Sequence, residues 1–400
     1  MSDTGGGHRA TATAIQAAMQ QRYPNLYEYN MVDVFKDYTP FPFRHMPELY
    51  PFWVTKSSFT WGLGYMLING PKRWRNLLRL AFYLSWRGGI HRLFRENPAD
   101  VVVSVHSLFN HAGMKVLKHI APERPPFVTV VTDLVSTPFS WYHPDVDRCL
   151  VPTPEAYQRG LKMHMRPGQL RLTGLPVHPT FVENVPDKLT ARQRLGWEPR
   201  RLSVLLVSGG DATGPVYELT RAIDAACLDI QLAIVAGRNQ PLEQKLNACT
   251  WNQPTHIYPF VNMATLMPAA DILITKAGPS TIAEANVMGL PMIISGKIPG
   301  QENGNVNRVT DNGAGVYAPT PAEVVKCLHD WTQSTPDILE SYSAASRQLA
   351  YPQAAWTVAE EIHDLVQHRE AHPNRAILPS WSALFPKIRP DVSQPPDGLF

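Results

Sequence analysis

The residues best suited to chemistry lie in the run Lys276-Ala277-Gly278-Pro279-Ser280-Thr281-Ile282-Ala283-Glu284. A β-branched strand pattern precedes this run and a helical pattern follows, so it opens a helix. Backbone N–H groups at a helix start are unsatisfied and carry the positive end of the helix dipole, so they can hold a diphosphate without a metal ion. Gly278 permits close approach, Ser280 and Thr281 add hydroxyl donors, and Glu284 lies about one turn in, where a carboxylate can accept from two ribose hydroxyls. Thr281 and Glu284 also fit a T-x-x-E capping box, whose only task is to start the helix. A second loop, Gly300-Gln301-Glu302-Asn303-Gly304-Asn305, follows the next strand and opens another helix. Its amides and carboxylate suit the mixed donors and acceptors of a hexose, although alone it would read as a solvated turn. Together the two loops predict one site for a sugar linked to a diphosphate.

Two other clusters invite a different reading. Asp145-Val146-Asp147 has the spacing of an acidic pair that holds a divalent ion on a diphosphate, but it lies far along the chain from the sugar loops and next to Pro144. A surface turn is the expectation, and no metal is expected. His106 and His111 are read as satisfied histidines rather than ligands. Cys149, Cys227, Cys249 and Cys327 are scattered, which argues against a zinc site or a disulfide framework and fits a reducing compartment.

The elements that must position the loops alternate in type. Strands at 101–105, 127–131, 202–207, 232–236, 272–275 and 292–295 alternate with helices at 107–119, 154–163, 216–226, 241–248 and 280–288. That pattern predicts parallel sheets covered on both faces. Length calls for two domains: an N-terminal unit over 1–175 and a second over 201–345. A proline-rich linker is expected at 176–200, a closing helical region at 346–370 and a disordered tail at 371–400. A cleft between two such domains, at the carboxyl ends of the strands, is the expected place for chemistry. Gly5-Gly6-Gly7 runs into a helix without a preceding strand, so a first strand is expected to be missing.

The segment 49–95 stands apart in composition: it has no Asp or Glu, eight Lys and Arg, and four of the ten tryptophans. The formal charge of the whole chain is only +3, so the distribution carries the information. In a helix from Pro71, Lys72, Arg75 and Arg79 would share one face and Trp74, Leu77, Leu78 and Ala81 another. Arg73, Trp61 and Trp86 extend the basic and aromatic character. A helix of this kind lies flat in a bilayer interface, with each basic group contributing roughly 1 kcal/mol near anionic lipid. A solvated basic face and nucleic-acid binding are the competing readings. No stretch approaches the roughly 18 apolar residues of a membrane span, and no signal peptide is expected.

The motifs resemble those of the monogalactosyldiacylglycerol synthase family, glycosyltransferases with two Rossmann-like domains (the GT-B fold) and relatives of the enzyme that glycosylates lipid I. The matching segments are 3–10, 38–42, 131–134, 174–177, 237–239, 276–284 and 300–305. The resemblance implies a UDP-hexose donor, with galactose expected, and diacylglycerol as acceptor, with anionic membrane lipids as further partners. His8 resembles a histidine proposed to act in catalysis. Asp133 resembles a family aspartate that would orient His8 or serve as the base itself; a turn or N-cap role is its plain alternative. Gly209, Gly210, Gly278 to Glu284 and Gln301 to Asn305 match donor-binding positions, and Arg238 would pair with the leaving diphosphate. Such enzymes invert the sugar configuration. Ser208 and His178 depart from the family pattern. A peripheral enzyme on the cytosolic face of a membrane, with no nucleic-acid partner, is the resulting expectation. A UDP-sugar 2-epimerase of the same fold and a non-catalytic UDP-sugar sensor are the alternatives.

Overall fold

The computed structural model describes residues 1, 6–49, 70–120, 124–333 and 336–371. Trp61 and most of the tail expected at 371–400 therefore lie outside the described residues.

Both expected sheets form, and both are parallel. The first holds β1 (Val102–Ser104), β2 (Phe127–Val130), β3 (Arg148–Val151) and β4 (Leu170–Leu172) in chain order. With three residues, β4 is too short for any period to show in the sequence. Every residue of β2 is buried, because helices cover both of its faces. On one face, Val128 and Val130 meet Ile15, Ala18 and Met19 of α1 (Gly7–Arg22). Val358, Ala359 and Ile362 of the last helix join the same cluster. On the other, Phe127 joins a cluster with Phe35 of α2 (Val34–Tyr38), Trp86 and Ile90 of α3 (Lys72–Glu96), and Phe109 and Met114 of α4 (Ser107–Ile120). The last helix, α14 (Ala354–Ala371), thus completes the N-terminal sheet, and its Glu361 pairs with Arg148 at 3.0 Å and Arg171 at 3.2 Å. A helix at the end of the chain closing the first domain is visible only in three dimensions.

The second sheet runs β10-β9-β8-β5-β6-β7. Its strands are β5 (Leu202–Val207), β6 (Ile230–Gly237), β7 (Thr255–Pro259), β8 (Ile272–Lys276), β9 (Met292–Gly296) and β10 (Gly315–Tyr317). Alternation along β5 splits the core. Val204 and Leu206 pack with α7 (Val216–Ala225) and α12 (Pro321–Gln333), whereas Leu205 and Val207 face α10 (Pro279–Met288). Strand order reverses between β5 and β8, which opens a crevice at their carboxyl ends.

The stretch 176–200 is more than a linker. Pro179–Phe181 forms a turn of 3-10 helix, and Lys188–Leu195 forms α6, capped by Asp187, which accepts from Thr190 N at 3.0 Å. Arg192 of α6 is buried, donates to the Ala269 carbonyl at 2.9 Å and pairs with Asp271, so the helix is anchored on the second domain. The two chain crossings run side by side: a Cβ on Gly174 would stand 2.1 Å from Cβ of Tyr351.

Candidate active site

The donor-side loops start from helix ends. α10 begins at Pro279, with Gly278 at the N-cap and no side-chain cap. Thr281 and Glu284 therefore lie inside the helix, and the capping-box alternative falls away. The amino end is left for a ligand. Ser280 Oγ is buried without a partner among the described residues, and it lies 3.1 Å from where a Cβ on Gly7 would stand. Glu284 makes no hydrogen bond or ion pair with a described residue, and burial raises its carboxyl pKa to about 8. Thr281, Ile282 and Ala283 fill the first turns between them; Ile282 is buried in the core, where it fixes the helix rather than touching a ligand.

The second loop leads into α11 (Asn303–Asp311). Gln301 Nε2 donates across the cleft to Asp133 Oδ1 at 3.2 Å, and its Oε1 is buried without a partner among the described residues. Glu302, expected to bind hexose, is buried, and its Oε2 accepts from Ile298 N at 2.7 Å, so one carboxylate oxygen holds the loop. Asn305 Nδ2 donates to the Ala277 carbonyl at 2.9 Å, which ties this loop to the start of α10, and its Oδ1 has no partner among the described residues. Gly304 N donates to Ser136 Oγ of the first domain at 3.2 Å. Arg308 closes the same seam with Glu155 at 3.0 Å.

The glycine turn after β5 holds Gly209 at φ 72°, a left-handed conformation that glycine adopts without strain. Next to it, Gly210 lies under the Arg238 guanidinium, 3.0 Å from where its Cβ would be. Arg238, expected to meet the diphosphate, is instead gripped at two points by Asp211, at 2.8 and 3.1 Å, and lies over Phe260. The pair leaves the arginine side chain about half exposed and sets its guanidinium over the glycine turn.

The acceptor side comes from the first domain. His8 sits in the first turn of α1, its Nδ1 3.0 Å from Thr132 Oγ1 and its ring 4.6 Å from that of His106. Burial, then the N-terminal ammonium, lowers its pKa to about 4, opposed by a hydrogen bond to the Val105 carbonyl. It is neutral at pH 7. Asp133 does not hydrogen-bond His8; that partner is Thr132. Instead its Oδ2 accepts from Trp141 Nε1 at 2.7 Å and its Oδ1 from Gln301, and burial raises its pKa despite both donors. Trp141 also lies 6.4 Å from the His8 ring. Thr132, Ser136 and Trp141 are site residues that the sequence does not reveal, because no local period marks a contact made through the sheet. His8 is thus linked to Gln301 through Trp141 and Asp133, and Ser280 lies beside Gly7 at the start of the same helix as His8.

The basic aromatic helix needs correction. Trp86, expected at the membrane, is 1% exposed and stacks on Phe82, so it belongs to the core. Arg75 and Arg79 turn back over the Phe139 ring, at 5.4 and 4.7 Å, where the ring face attracts a cation. What remains outside is an apolar stripe, Trp74, Leu77, Leu80 and Leu84, each more than 40% exposed, with Arg73 and Arg87 exposed beside it. No described helix is long and apolar enough to cross a membrane. Asp145 pairs with Lys118 at 2.7 Å and Asp147 with Arg124 at 2.6 Å, as surface turns do, and no metal-holding group occurs among the described residues. His178 Nδ1 contacts Thr180 Oγ1 at 2.9 Å, within its own turn.

Two Rossmann-like sheets facing a cleft, with helix starts on one wall, define a GT-B fold, and solved structures share it. Acinetobacter baumannii MurG matches with a TM-score of 0.52 at 17% identity, covering 70% of this chain and 78% of that one. A UDP-N-acetylglucosamine 2-epimerase matches with a TM-score of 0.55 at 13% identity, covering 90% and 94%. Sequence comparisons are more specific. The family model for monogalactosyldiacylglycerol (MGDG) synthase matches residues 8–177, and that for the glycosyltransferase family 28 C-terminal domain matches 206–346. Monogalactosyldiacylglycerol synthase 1, chloroplastic, of Arabidopsis thaliana is 36% identical over 384 residues, 93% of this chain and 71% of that protein. A probable monogalactosyldiacylglycerol synthase 2 of Oryza sativa subsp. japonica is 38% identical, covering 92% and 80%. The chain belongs to the monogalactosyldiacylglycerol synthase family and is a glycosyltransferase.

Proposed function

We propose that the protein transfers galactose from UDP-galactose to the free hydroxyl of diacylglycerol with inversion at the anomeric carbon. The carrying observation is the meeting of Asp133 and Gln301 across the cleft, 3.2 Å apart. It sets a carboxylate of one domain against the sugar loop of the other. The uridine ribose would lie at Glu284, the diphosphate at the start of α10 beside the glycine turn, and the hexose at Gln301. Asp133 takes the acceptor proton in this reading. Its carboxylate keeps lone pairs beyond those accepting from Trp141 and Gln301, and its raised pKa favours proton uptake. His8, bound to Thr132 and Val105 within its own domain, forms the wall against which the acceptor hydroxyl is placed.

Diacylglycerol reaches the cleft from a membrane on which the protein rests through the apolar stripe of α3 and its flanking arginines. Anionic lipid would strengthen that attachment. The relatives at 36–38% identity carry synthase names, and the α3 stripe is suited to a lipid acceptor; both favour transfer over epimerisation. The test is incubation with diacylglycerol and each UDP-sugar in turn, with separation and identification of the lipid product. Formation of a monogalactosyl lipid supports the reading; release of an epimerised sugar nucleotide without glycolipid would overturn it.

A further inference from the structure

Transfer moves charge as well as a sugar. As the acceptor oxygen bonds to the anomeric carbon, the bond from that carbon to the β-phosphate oxygen breaks. Its electron pair stays on the phosphate, and the acceptor proton passes to the base. The departing nucleoside diphosphate gains one negative charge, and a cation fixed at the β-phosphate lowers the barrier. Arg238 is the basic residue that the sequence suggests for this task, yet Asp211 already holds it at two points.

We propose that Lys276 is the catalytic residue that stabilises the departing β-phosphate, and that Arg238 is a strut supporting the glycine turn. Lys276 ends β8, at the point where strand order reverses. Its Cε lies 3.2 Å from where a Cβ on Gly209 would stand and 3.7 Å from the same point on Gly278. The side chain therefore bridges the two glycines at which a diphosphate can approach backbone. With Ser208, Thr213, Ser295 and Lys297 it lines a cavity of ≈ 250 Å³. Its Nζ makes no hydrogen bond to a described residue. The nearest acid oxygen, Glu302 Oε1, is 3.8 Å away, beyond hydrogen-bond length, and the other Glu302 oxygen is held by Ile298 N. Lys297 lies over the Tyr317 ring at 4.9 Å, at the far end of the same strand connection. Lys276 is thus a partly enclosed ammonium in a loose ion pair with Glu302, its donors not hydrogen-bonded to any described residue, set between the glycine turn and the start of α10.

The inference rests on the donor being a nucleoside diphosphate sugar, and binding tests it apart from turnover. UDP carries the β-phosphate and UMP lacks it. Titration of each into Lys276→Met should show UDP weakened about 10-fold or more, the loss of one charge-assisted contact, with UMP within about 3-fold of wild type. Arg238→Ala should leave the preference for UDP over UMP intact. Lys276→Met should lower kcat roughly 100-fold, in the range for loss of one transition-state donor, and Lys276→Arg should restore part of it. Lys276→Met also leaves buried Glu302 without its nearest cation, so the double variant with Glu302→Gln separates folding from binding: it should fold and still lose the UDP preference. Equal weakening of UDP and UMP in Lys276→Met, or a lost preference in Arg238→Ala instead, would overturn the proposal. If wild type makes no glycolipid but Lys276→Met still loses the UDP preference, the acceptor reading has failed and the Lys276 site stands.

Discussion

Asp133 and Gln301 are 168 residues apart and meet at 3.2 Å, the one carboxylate–amide bond recorded between the acceptor wall and the sugar loop among the described residues. Asp133 is held from the other side by Trp141 Nε1 at 2.7 Å. A hexose that engages the Gln301 amide competes with Asp133 for its N–H, so donor binding frees a carboxylate oxygen at the moment a proton acceptor is needed.

Asp133→Asn should therefore reduce kcat by two to four orders of magnitude, about the contribution of a positioned base, with little change in UDP affinity. His8→Gln should retain more activity than Asp133→Asn and lose it mainly through the acceptor KM. Rate measurements at saturating donor decide it. A greater kcat loss in His8→Gln than in Asp133→Asn would return the base role to the histidine.

Glu284 gives a pH signature. Its pKa is raised by burial to about 8, so without nucleotide it is largely protonated at pH 7. Two ribose hydroxyls donating to it favour the carboxylate and lower that pKa. UDP binding should then release a proton at pH 7, and affinity should rise with pH until about pH 8, where it levels. Calorimetry in buffers of different ionisation enthalpy reads the proton directly. The same shift affects the free protein in the opposite sense. A carboxyl whose folded pKa lies above its unfolded value costs stability as pH rises from near 4.5 towards 8. Glu284→Gln should thus raise the melting temperature at pH 8.5, by about 2–4 °C if the residual effect is about 1 kcal/mol, while abolishing proton release.

On α3, the exposed apolar stripe and the buried Trp86 should behave differently. Leu77→Asp with Leu84→Asp places charges on the exposed apolar stripe and should remove sedimentation with anionic vesicles while activity on detergent-dispersed diacylglycerol persists. Trp86→Ala, by contrast, empties a core site and should cost about 3–5 kcal/mol of stability. Vesicle binding unchanged by the double aspartate variant would remove α3 from the membrane contact.

The difference between Trp74 and Trp86 shows what the sequence carries. Both sit in one basic aromatic helix, and composition groups them. Their faces separate only when α2 and α4 close over Trp86, through Phe35 at 5.4 Å and the α4 side of the cluster. The strand–helix alternation and both loop starts were legible because β-branched runs, and glycine-bearing turns between a strand period and a helix period, are local signals. The pairing of Arg238 with Asp211 was not, since it needs the carboxyl ends of β5 and β6 side by side. Nor was the return of α14 to the first domain, where its Val358 and Ile362 meet Val128 and Val130. In each case the missing information is which face of an element a distant element covers.

Gly304 tests how closely the two walls must approach. A Cβ there would stand 2.6 Å from Val135 Cγ1 and 2.8 Å from Ser136 Oγ, both in the first domain, while Gly304 N donates to that same hydroxyl. Val135 is β-branched and stiff at χ1, so Gly304→Ala pushes the sugar loop away from the acceptor wall rather than displacing a side-chain tip. The loop itself is tied within its own domain by Glu302 to Ile298 N and by Asn305 to the Ala277 carbonyl, so it moves as a unit with the start of α10. Donor affinity should then stay within about 3-fold. Meanwhile kcat should fall by about 100-fold, the cost of separating reacting groups by about 1 Å. Comparing UDP titration with turnover in this one variant measures whether chemistry depends on the domains meeting at this seam. Unaltered turnover would show that the contact between Gly304 and Val135 has no part in the reactive state.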